Sequence, residues 1–140
     1  MVSLFTNLYH TFGAGFARIV RERHPKVFDA DRNTNYGDPD KLGSYSHGDT
    51  GDDYRIGINL YAMNSIGNDG DPLNRNLSYD HLYNALYKAC FDFKNFWTVK
   101  IGVPYMIGCG LAGGEVSIVE AILKDIESKF DVEFLIYQID

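Results

Sequence analysis

The stretch Ile107-Gly-Cys-Gly-Leu-Ala-Gly-Gly-Glu115 decides how the chain is organised, because it holds four glycines between residues 108 and 114. The residues before it, 99–106, are rich in β-formers, and the apolar residues after Val116 recur with helical spacing. A helix N-terminus presents unpaired N–H groups and a positive dipole end, and glycine lets a ligand approach the backbone. The stretch therefore predicts a phosphate-binding loop, with a tight structural turn as the alternative.

A second strand–glycine–helix unit lies at the N-terminal end of the chain. Residues 2–6 predict a strand and residues 7–12 predict a loop. Gly13-Ala14-Gly15 then opens a helix that Pro25 should end, because proline cannot continue a helical ladder. In an open α/β sheet such loops gather at the carboxyl ends of the strands. We therefore predict that the two glycine loops lie side by side and clamp an extended, phosphate-bearing ligand.

The remaining segments complete an alternating order of strands and helices. Residues 54–63 predict a strand with one strongly apolar face, Ser78 caps a helix, and residues 132–139 predict a last strand. Residues 29–53 are polar and are interpreted as a long surface loop with a short strand at 42–46. Crossover packing then predicts a mixed sheet with helices on both faces.

Length and composition predict one globular domain over residues 1–140. The apolar fraction of 45% and the charged fraction of 23% are ordinary globular values. The net charge is −6, and the densest basic run is Arg18, Arg21 and Arg23, which argues against nucleic acid as a partner. The sequence has no apolar run long enough for a membrane span, so no membrane partner is expected.

The two cysteines, Cys90 and Cys109, match no metal-ligand spacing and cannot form a disulfide framework of the secreted kind. The expected compartment is therefore the reducing cytoplasm. These residues predict neither a metal site nor a cofactor.

Several segments of the sequence together resemble the macrodomain family over nearly the whole chain. Residues 7–17 (Asn-Leu-Tyr-His-Thr-Phe-Gly-Ala-Gly-Phe-Ala) are similar to the first macrodomain loop, and residues 101–114 resemble the second. Residues 58–61 followed by residues 79–82 resemble the central strand and the next helix. The nearest branch contains the ADP-ribose 1″-phosphate phosphatases, their viral and phage-type relatives, and the terminal ADP-ribose protein glycohydrolase. The resemblance implies a three-layer α/β/α fold that binds ADP-ribose.

The chain departs from the family pattern at two points. Macrodomains begin with another strand and a Gly-Asp pair that binds adenine, whereas this chain starts at the strand before Asn7, so the first strand is expected to be missing. One alternative is that a partner subunit replaces this missing strand, which implies a homo-oligomer. The other is that the gene is short. The glycohydrolase has a catalytic Asp where this chain has Ala112. The protein-deglycosylating mechanism of that enzyme is therefore not expected in this chain.

The resemblance, taken with the residue chemistry, yields a set of candidate site residues. The predicted catalytic residues are Asn7, which orients the ribose, and His10, which assists proton transfer because an imidazole can act as a general acid or base. The predicted ligand-binding residues are Gly13, Ala14, Gly15, Phe16, Gly108, Cys109, Gly110, Leu111, Ala112, Gly113 and Gly114.

Each of these candidates also has a plain structural alternative. Asn7 suits an Asx turn and His10 suits a solvated loop. Cys109 is interpreted mainly as a small buried filler rather than a thiolate, and Glu115 and Asp80 as carboxylates that suit a first helical turn.

Two functions remain open from the sequence. The first is a hydrolase that removes a phosphate or another small substituent from the distal ribose of ADP-ribose. The second is a binder that reads or sequesters ADP-ribose-type nucleotides without chemistry. The branch resemblance favours the phosphatase, whereas the lack of an obvious nucleophile–base pair favours the binder.

Overall fold

The computed structural model describes residues 2–6, 15–51, 56–63, 78–94, 99–104 and 116–137. Strands and helices alternate through these ranges, and a short 3₁₀ helix at Pro39–Lys41 precedes the second strand. The elements in chain order are β1 (Val2–Thr6), α1 (Gly15–Arg23), α2 (Pro25–Arg32), β2 (Tyr45–Asp49), β3 (Ile56–Tyr61), α3 (Tyr79–Phe93), β4 (Val99–Pro104), α4 (Val116–Lys129) and β5 (Val132–Tyr137).

The strands form one mixed sheet in the spatial order β2-β3-β1-β4-β5. Strand β1 is parallel to both of its neighbours, β3 and β4, and β4 is parallel to β5. Strand β2 lies antiparallel to β3 at the edge of the sheet. The mixed sheet predicted from the sequence is therefore confirmed.

Helices cover both faces of this sheet. On one face, Ile58 and Leu60 of β3 belong to a core cluster with Leu82 of α3 and Ile126 of α4. On the other face, Gly57 approaches Val27 of α2 so closely that an added Cβ would lie 2.4 Å from a valine methyl group. Helix α1 packs against α2 on that side. The three-layer α/β/α arrangement implied by the resemblance is confirmed.

Strand β3 is buried on both faces, whereas the sequence pattern predicted one apolar face. Asn59 and Tyr61 lie on the side opposite Ile58 and Leu60, yet their exposed fractions are only 0% and 1%. The reason is the position of β3 between two strands with a helix on each face, which leaves neither face to solvent. Polar residues in this strand therefore mark a buried polar layer.

The polar stretch 29–53 is not the long surface loop that the sequence suggested. Residues 25–32 form α2, and the second strand runs from Tyr45 to Asp49 rather than over 42–46. Pro25 ends α1 as predicted but also starts α2, since its fixed φ suits the first turn of a helix. Val27, Phe28 and Asp31 form the buried side of this helix.

Helix α3 begins where the sequence predicted. The Ser78 hydroxyl accepts a 3.4 Å hydrogen bond from the backbone N–H of His81, and Asp80 lies in the first turn. The buried side consists of Leu82, Ala85, Leu86, Ala89 and Cys90, with Phe93 half-buried beside them. Among the described helices, none combines the length and the apolar character needed to cross a membrane.

Candidate ligand-binding site

The carboxyl ends of β1 and β4 define the candidate site. The two strands are neighbours and run parallel, with Val2 opposite Gly102, so both end at the same edge of the sheet. From β1 the chain continues through α1 and α2 to β2 and β3, which lie on one side of β1 in the sheet. From β4 it continues through α4 to β5, which lies on the opposite side. The strand order therefore reverses between β1 and β4, and ligands of open α/β sheets bind at such a switch point.

Two helix N-termini follow these strand ends. Helix α1 begins at Gly15 and α4 begins at Val116, and neither carries an acidic residue in its first turn. Helix α3, by contrast, has Asp80 in its first turn. A carboxylate there offsets the positive end of a helix dipole, so the described first turns of α1 and α4 suit an anionic ligand. Glu115, which the sequence placed in the first turn of α4, directly precedes that helix and lies outside the described residues.

The structure places a few of the sequence-predicted site residues directly. Gly15 and Phe16 are the first two residues of α1. The other candidates fall on the segments 7–14 and 105–115, which follow β1 and β4 and lie outside the described residues. They are Asn7, His10, Gly13, Ala14, Gly108, Cys109, Gly110, Leu111, Ala112, Gly113 and Gly114. Their individual roles stay predictions, while the strands that lead into both segments are neighbours.

A polar turn over residues 33–44 borders this edge on the β3 side. The backbone N–H of Gly43 donates to the carbonyl of Tyr61 at 2.9 Å, and the N–H of Tyr61 donates to the carbonyl of Ser44 at 3.0 Å. Tyr61 is paired across the sheet with Thr6, the last residue of β1. The turn therefore lies one strand away from the place where β1 ends.

A buried chain of hydrogen bonds supports this border. Asn59 Nδ2 donates to the Ser46 hydroxyl at 3.0 Å, which lies 2.8 Å from the Tyr61 hydroxyl, and Tyr61 donates to Asp31 Oδ1 at 2.7 Å. Since the Tyr61 proton points to the carboxylate, the Ser46 hydroxyl is the donor to Tyr61. Burial raises the pKa of Tyr61 well above its usual value of 10.0, so the phenol remains a donor at neutral pH. The chain joins α2, β2 and β3.

Lys41 lies next to this chain and is 8% exposed. Its Nζ donates to the Thr34 hydroxyl at 2.9 Å and lies 5.1 Å from the centre of the Tyr61 ring. Burial lowers the pKa of Lys41, and the charges of Asp31 and Asp38 oppose that shift. Sequence reasoning missed this cluster because it placed Asp31 and Lys41 in a solvated loop. The helical spacing of Val27, Phe28 and Asp31 after a proline was the available signal.

The described thiol is unsuited to nucleophilic chemistry. Cys90 is 3% exposed and lies in the core between α3 and the sheet. Burial raises the pKa of its thiol to about 12, so the reactive thiolate is scarce at neutral pH. Cys109, the other cysteine, lies outside the described residues.

Sequence comparison identifies a phage relative. No family model matches the chain. A protein of Enterobacteria phage T4, described as an uncharacterized 17.5 kDa protein in the tk-vs intergenic region, is 32% identical over 135 residues. The match spans 90% of this chain and 79% of the phage protein, which is enough to show a shared family.

Solved structures with the same fold include named macrodomains. A Bacteroides thetaiotaomicron protein of unknown function has a TM-score of 0.84 at 21% identity and covers 99% of this chain and 86% of its own. The macrodomain of Mycobacterium tuberculosis DarG has a TM-score of 0.73 at 18% identity, with 99% and 88% covered. Thermosipho africanus DarTG in complex with ADP-ribose has a TM-score of 0.70 at 18% identity, with 99% and 37% covered.

The phage match and the structural matches agree with the architecture. These neighbours match over 99% of the chain with TM-scores of 0.84 and 0.73, and the macrodomain resemblance drawn from the glycine segments is confirmed at the level of the fold. The chain therefore belongs to the family of the phage T4 17.5 kDa protein and has the macrodomain fold.

Proposed function

We propose that the chain binds ADP-ribose or a close derivative at the edge where β1 and β4 end. The observation that carries this proposal is the switch point between these two parallel strands, with the N-termini of α1 and α4 beyond it. A protein of the same fold, Thermosipho africanus DarTG, has been solved with ADP-ribose, which supports this choice of ligand.

The chemistry of the site suits a diphosphate. The protein carries a net charge of −6, so a dianionic ligand needs locally positive donors rather than the protein's overall field. Backbone N–H groups at two helix N-termini are such donors. In this proposal residues 13–16 and 108–114 hold the diphosphate, and Asn7 holds the distal ribose.

Within the same proposal the chain hydrolyses a substituent on the distal ribose. The reaction converts ADP-ribose 1″-phosphate and water into ADP-ribose and inorganic phosphate. His10 assists proton transfer, Asn7 orients the ribose, and both loops stabilise the charge that develops on the phosphate. The support is the resemblance of residues 7–17 and 101–114 to the phosphatase branch.

A second function, reading or sequestering the nucleotide without chemistry, is favoured by one observation. The described cysteine is no activated nucleophile, since the Cys90 thiol is buried and its pKa is raised to about 12. A binder needs only the loops and the helix N-termini. The two functions share one site and differ in turnover alone.

Calorimetric titration with ADP-ribose tests the binding site. We expect saturable binding of ADP-ribose and much weaker binding of AMP and of inorganic phosphate, because neither spans both loops. Equal affinity for ADP-ribose and inorganic phosphate would contradict an extended diphosphate site. A separate incubation with ADP-ribose 1″-phosphate, followed by free phosphate, tests the chemistry. Tight binding with no phosphate released over hours would replace the hydrolase by the sequestering function.

A further inference from the structure

The outer side of α3 carries five side chains on a single face. Asp80, Tyr83, Tyr87, Phe91 and Lys94 follow one another at spacings of three, four, four and three residues. At 3.6 residues per turn, these positions fall within a sector of about 80° around the helix axis. Lys94, directly after the helix, keeps helical φ and ψ angles of −60° and −26°, so it continues the same face. We refer to these five residues as the α3 stripe.

The middle of the α3 stripe is aromatic and open to solvent. Tyr87 is 41% exposed and Phe91 is 49% exposed. The core-facing side of α3, which includes Leu82 and Leu86, is fully buried against the sheet and α4. Large aromatic side chains exposed next to one another are characteristic of interaction surfaces.

Two rings of the α3 stripe contact α4 or the residue that follows it. The Tyr83 hydroxyl donates to Asp125 Oδ2 at 2.6 Å and accepts a hydrogen bond from Lys129. The Tyr87 ring meets the Phe130 ring edge to face at a centroid distance of 5.0 Å. Because Tyr83 and Tyr87 already make these contacts, little of their rotamer entropy is lost when a partner covers them.

The order of residues in the α3 stripe is symmetric about Tyr87. Tyr83 and Phe91 lie four residues on either side of it, and Asp80 and Lys94 lie seven residues on either side. A two-fold axis through Tyr87 therefore places aromatic residues against aromatic residues in an antiparallel helix pair. The same axis places each Asp80 near Lys94 of the other copy, so both ends carry opposite charges.

We propose that the α3 stripe is the contact surface between two copies of this chain, packed antiparallel through α3. The charge pattern selects a second copy as the partner, because the acidic end and the basic end of one stripe complement each other only when the helix is reversed. This inference does not depend on which nucleotide the other edge of the fold binds. One helix face of 15 residues is about 22 Å long and makes a small interface, so the dimer forms in a concentration-dependent way.

Sedimentation equilibrium over a concentration series at low salt tests this surface. For the wild type we expect the mass to rise from 15.8 kDa towards twice that value. Asp80→Lys and Lys94→Asp each turn two attractive pairs into two repulsive ones, so each variant should weaken self-association by at least about tenfold. The double variant, Asp80→Lys with Lys94→Asp, restores opposite charges and should recover the wild-type association.

An equimolar mixture of the two single variants gives a further result specific to this geometry. One chain then has two lysines and the other has two aspartates at the ends of the α3 stripe, so a heterodimer should form where neither variant alone self-associates. Added salt should weaken this heterodimer. The variant Phe91→Gln keeps both charges, and it should self-associate more weakly than the wild type.

Matched charge reversals away from the α3 stripe serve as controls. Asp40 and Lys26 are exposed and lie outside the α3 stripe. Asp40→Lys and Lys26→Asp should leave self-association unchanged. Circular dichroism should confirm that each variant is folded, because Asp80 also supports the first turn of α3. A wild type that stays at 15.8 kDa at the highest concentration overturns the proposal. So does a double variant that associates no better than the single ones.

Discussion

The phenol of Tyr61 donates a 2.7 Å hydrogen bond to Oδ1 of Asp31, and both side chains are buried. The bond joins the last residue of β3 to the last turn of α2. Tyr61 is also the sheet partner of Thr6, where β1 ends. The contact therefore fixes α2 and the polar turn after it beside the candidate ligand edge.

Removing this phenol should destabilise the fold. In Tyr61→Phe the buried Asp31 carboxylate loses a hydrogen-bond donor. The missing hydroxyl oxygen also leaves a small void beside the ring. We expect the free energy of unfolding to fall by about 1–3 kcal/mol, the usual effect of leaving a buried polar group short of a partner. Urea unfolding monitored by circular dichroism measures it.

Tyr45→Phe is the matched control for that variant. Its hydroxyl also donates to a carboxylate, that of Asp92, at 2.6 Å, but this hydrogen bond lies at the surface. Water replaces a lost partner there, so the free energy of unfolding should fall by less than about 1 kcal/mol. Equal decreases in the free energy of unfolding for Tyr45→Phe and Tyr61→Phe would show that the buried hydrogen bond to Asp31 stabilises the fold no more than the surface one does.

The elements predicted well from sequence are those whose signals are local. Helix α3 has a serine cap and a regular apolar stripe, and β1 and α4 flank obvious glycine segments. Helix α2 was missed because Asp31 looks solvated in the sequence and becomes a core residue only against Tyr61, a partner 30 residues away. Burial of polar groups is set by tertiary contacts that a local pattern does not contain.

Close packing of α2 on β2 makes Gly48 intolerant of a side chain. A Cβ at this position would lie 2.4 Å from the backbone carbonyl oxygen of Lys26, which cannot move without shifting the helix. Gly48→Ala should therefore lower the free energy of unfolding by about 3 kcal/mol. Gly51 is the comparison position, because its φ is 86° and no atom lies within 4 Å of an added Cβ. A side chain there causes backbone strain without a packing clash. Gly51→Ala should cost about 1 kcal/mol.

Thermal and urea unfolding of the two glycine variants separate packing from strain. If Gly48→Ala were no less stable than Gly51→Ala, the close approach of α2 to β2 would be wrong.

The buried thiol of Cys90 should be unreactive in the folded protein. Its pKa is raised to about 12 by burial, so the thiolate is scarce at pH 8, and access is also blocked. In a Cys109→Ser background, a thiol reagent such as dithiobisnitrobenzoate should label Cys90 only at the rate of unfolding. Labelling should become complete in denaturant. Rapid labelling of the folded variant at pH 8 would contradict the placement of Cys90 in the core.

The position of the candidate site follows from the sequence more directly than its chemistry does. Two glycine segments after two strands predicted one shared edge, and the adjacent parallel strands β1 and β4 agree with that arrangement. The roles of Asn7 and His10 rest on the family resemblance, since side-chain roles depend on distances that no spacing pattern supplies. The sequence did not predict that the polar turn at 33–44 borders the candidate site. Its contact partner is Tyr61 of β3, which is distant from the turn in the sequence.

Bulky residues in the second glycine segment should weaken ligand binding. A valine at Gly110 or Gly113 adds a branched side chain where the proposal needs close approach of the diphosphate, or forces an unfavourable φ. We expect the dissociation constant for ADP-ribose to rise more than tenfold in each variant, about 1.4 kcal/mol or more. Titration calorimetry decides this, with unfolding curves as the check on folding. Wild-type affinity in both variants would show that the segment is only a structural turn.

Asn7 and His10 should differ in function, since one is expected to hold the ribose and the other to move a proton. His10→Ala and Asn7→Ala should each lower phosphate release from ADP-ribose 1″-phosphate by about tenfold to a hundredfold, a share typical of positioned acid–base groups. Binding of the product ADP-ribose should survive better in His10→Ala, because the amide of Asn7 is expected to hold the ribose while the imidazole acts on the transferred group. Cys109→Ser should leave the rate nearly unchanged, since no thiolate takes part. A large loss of rate in Cys109→Ser with little loss in His10→Ala would reverse these assignments and point to a covalent thiol mechanism instead.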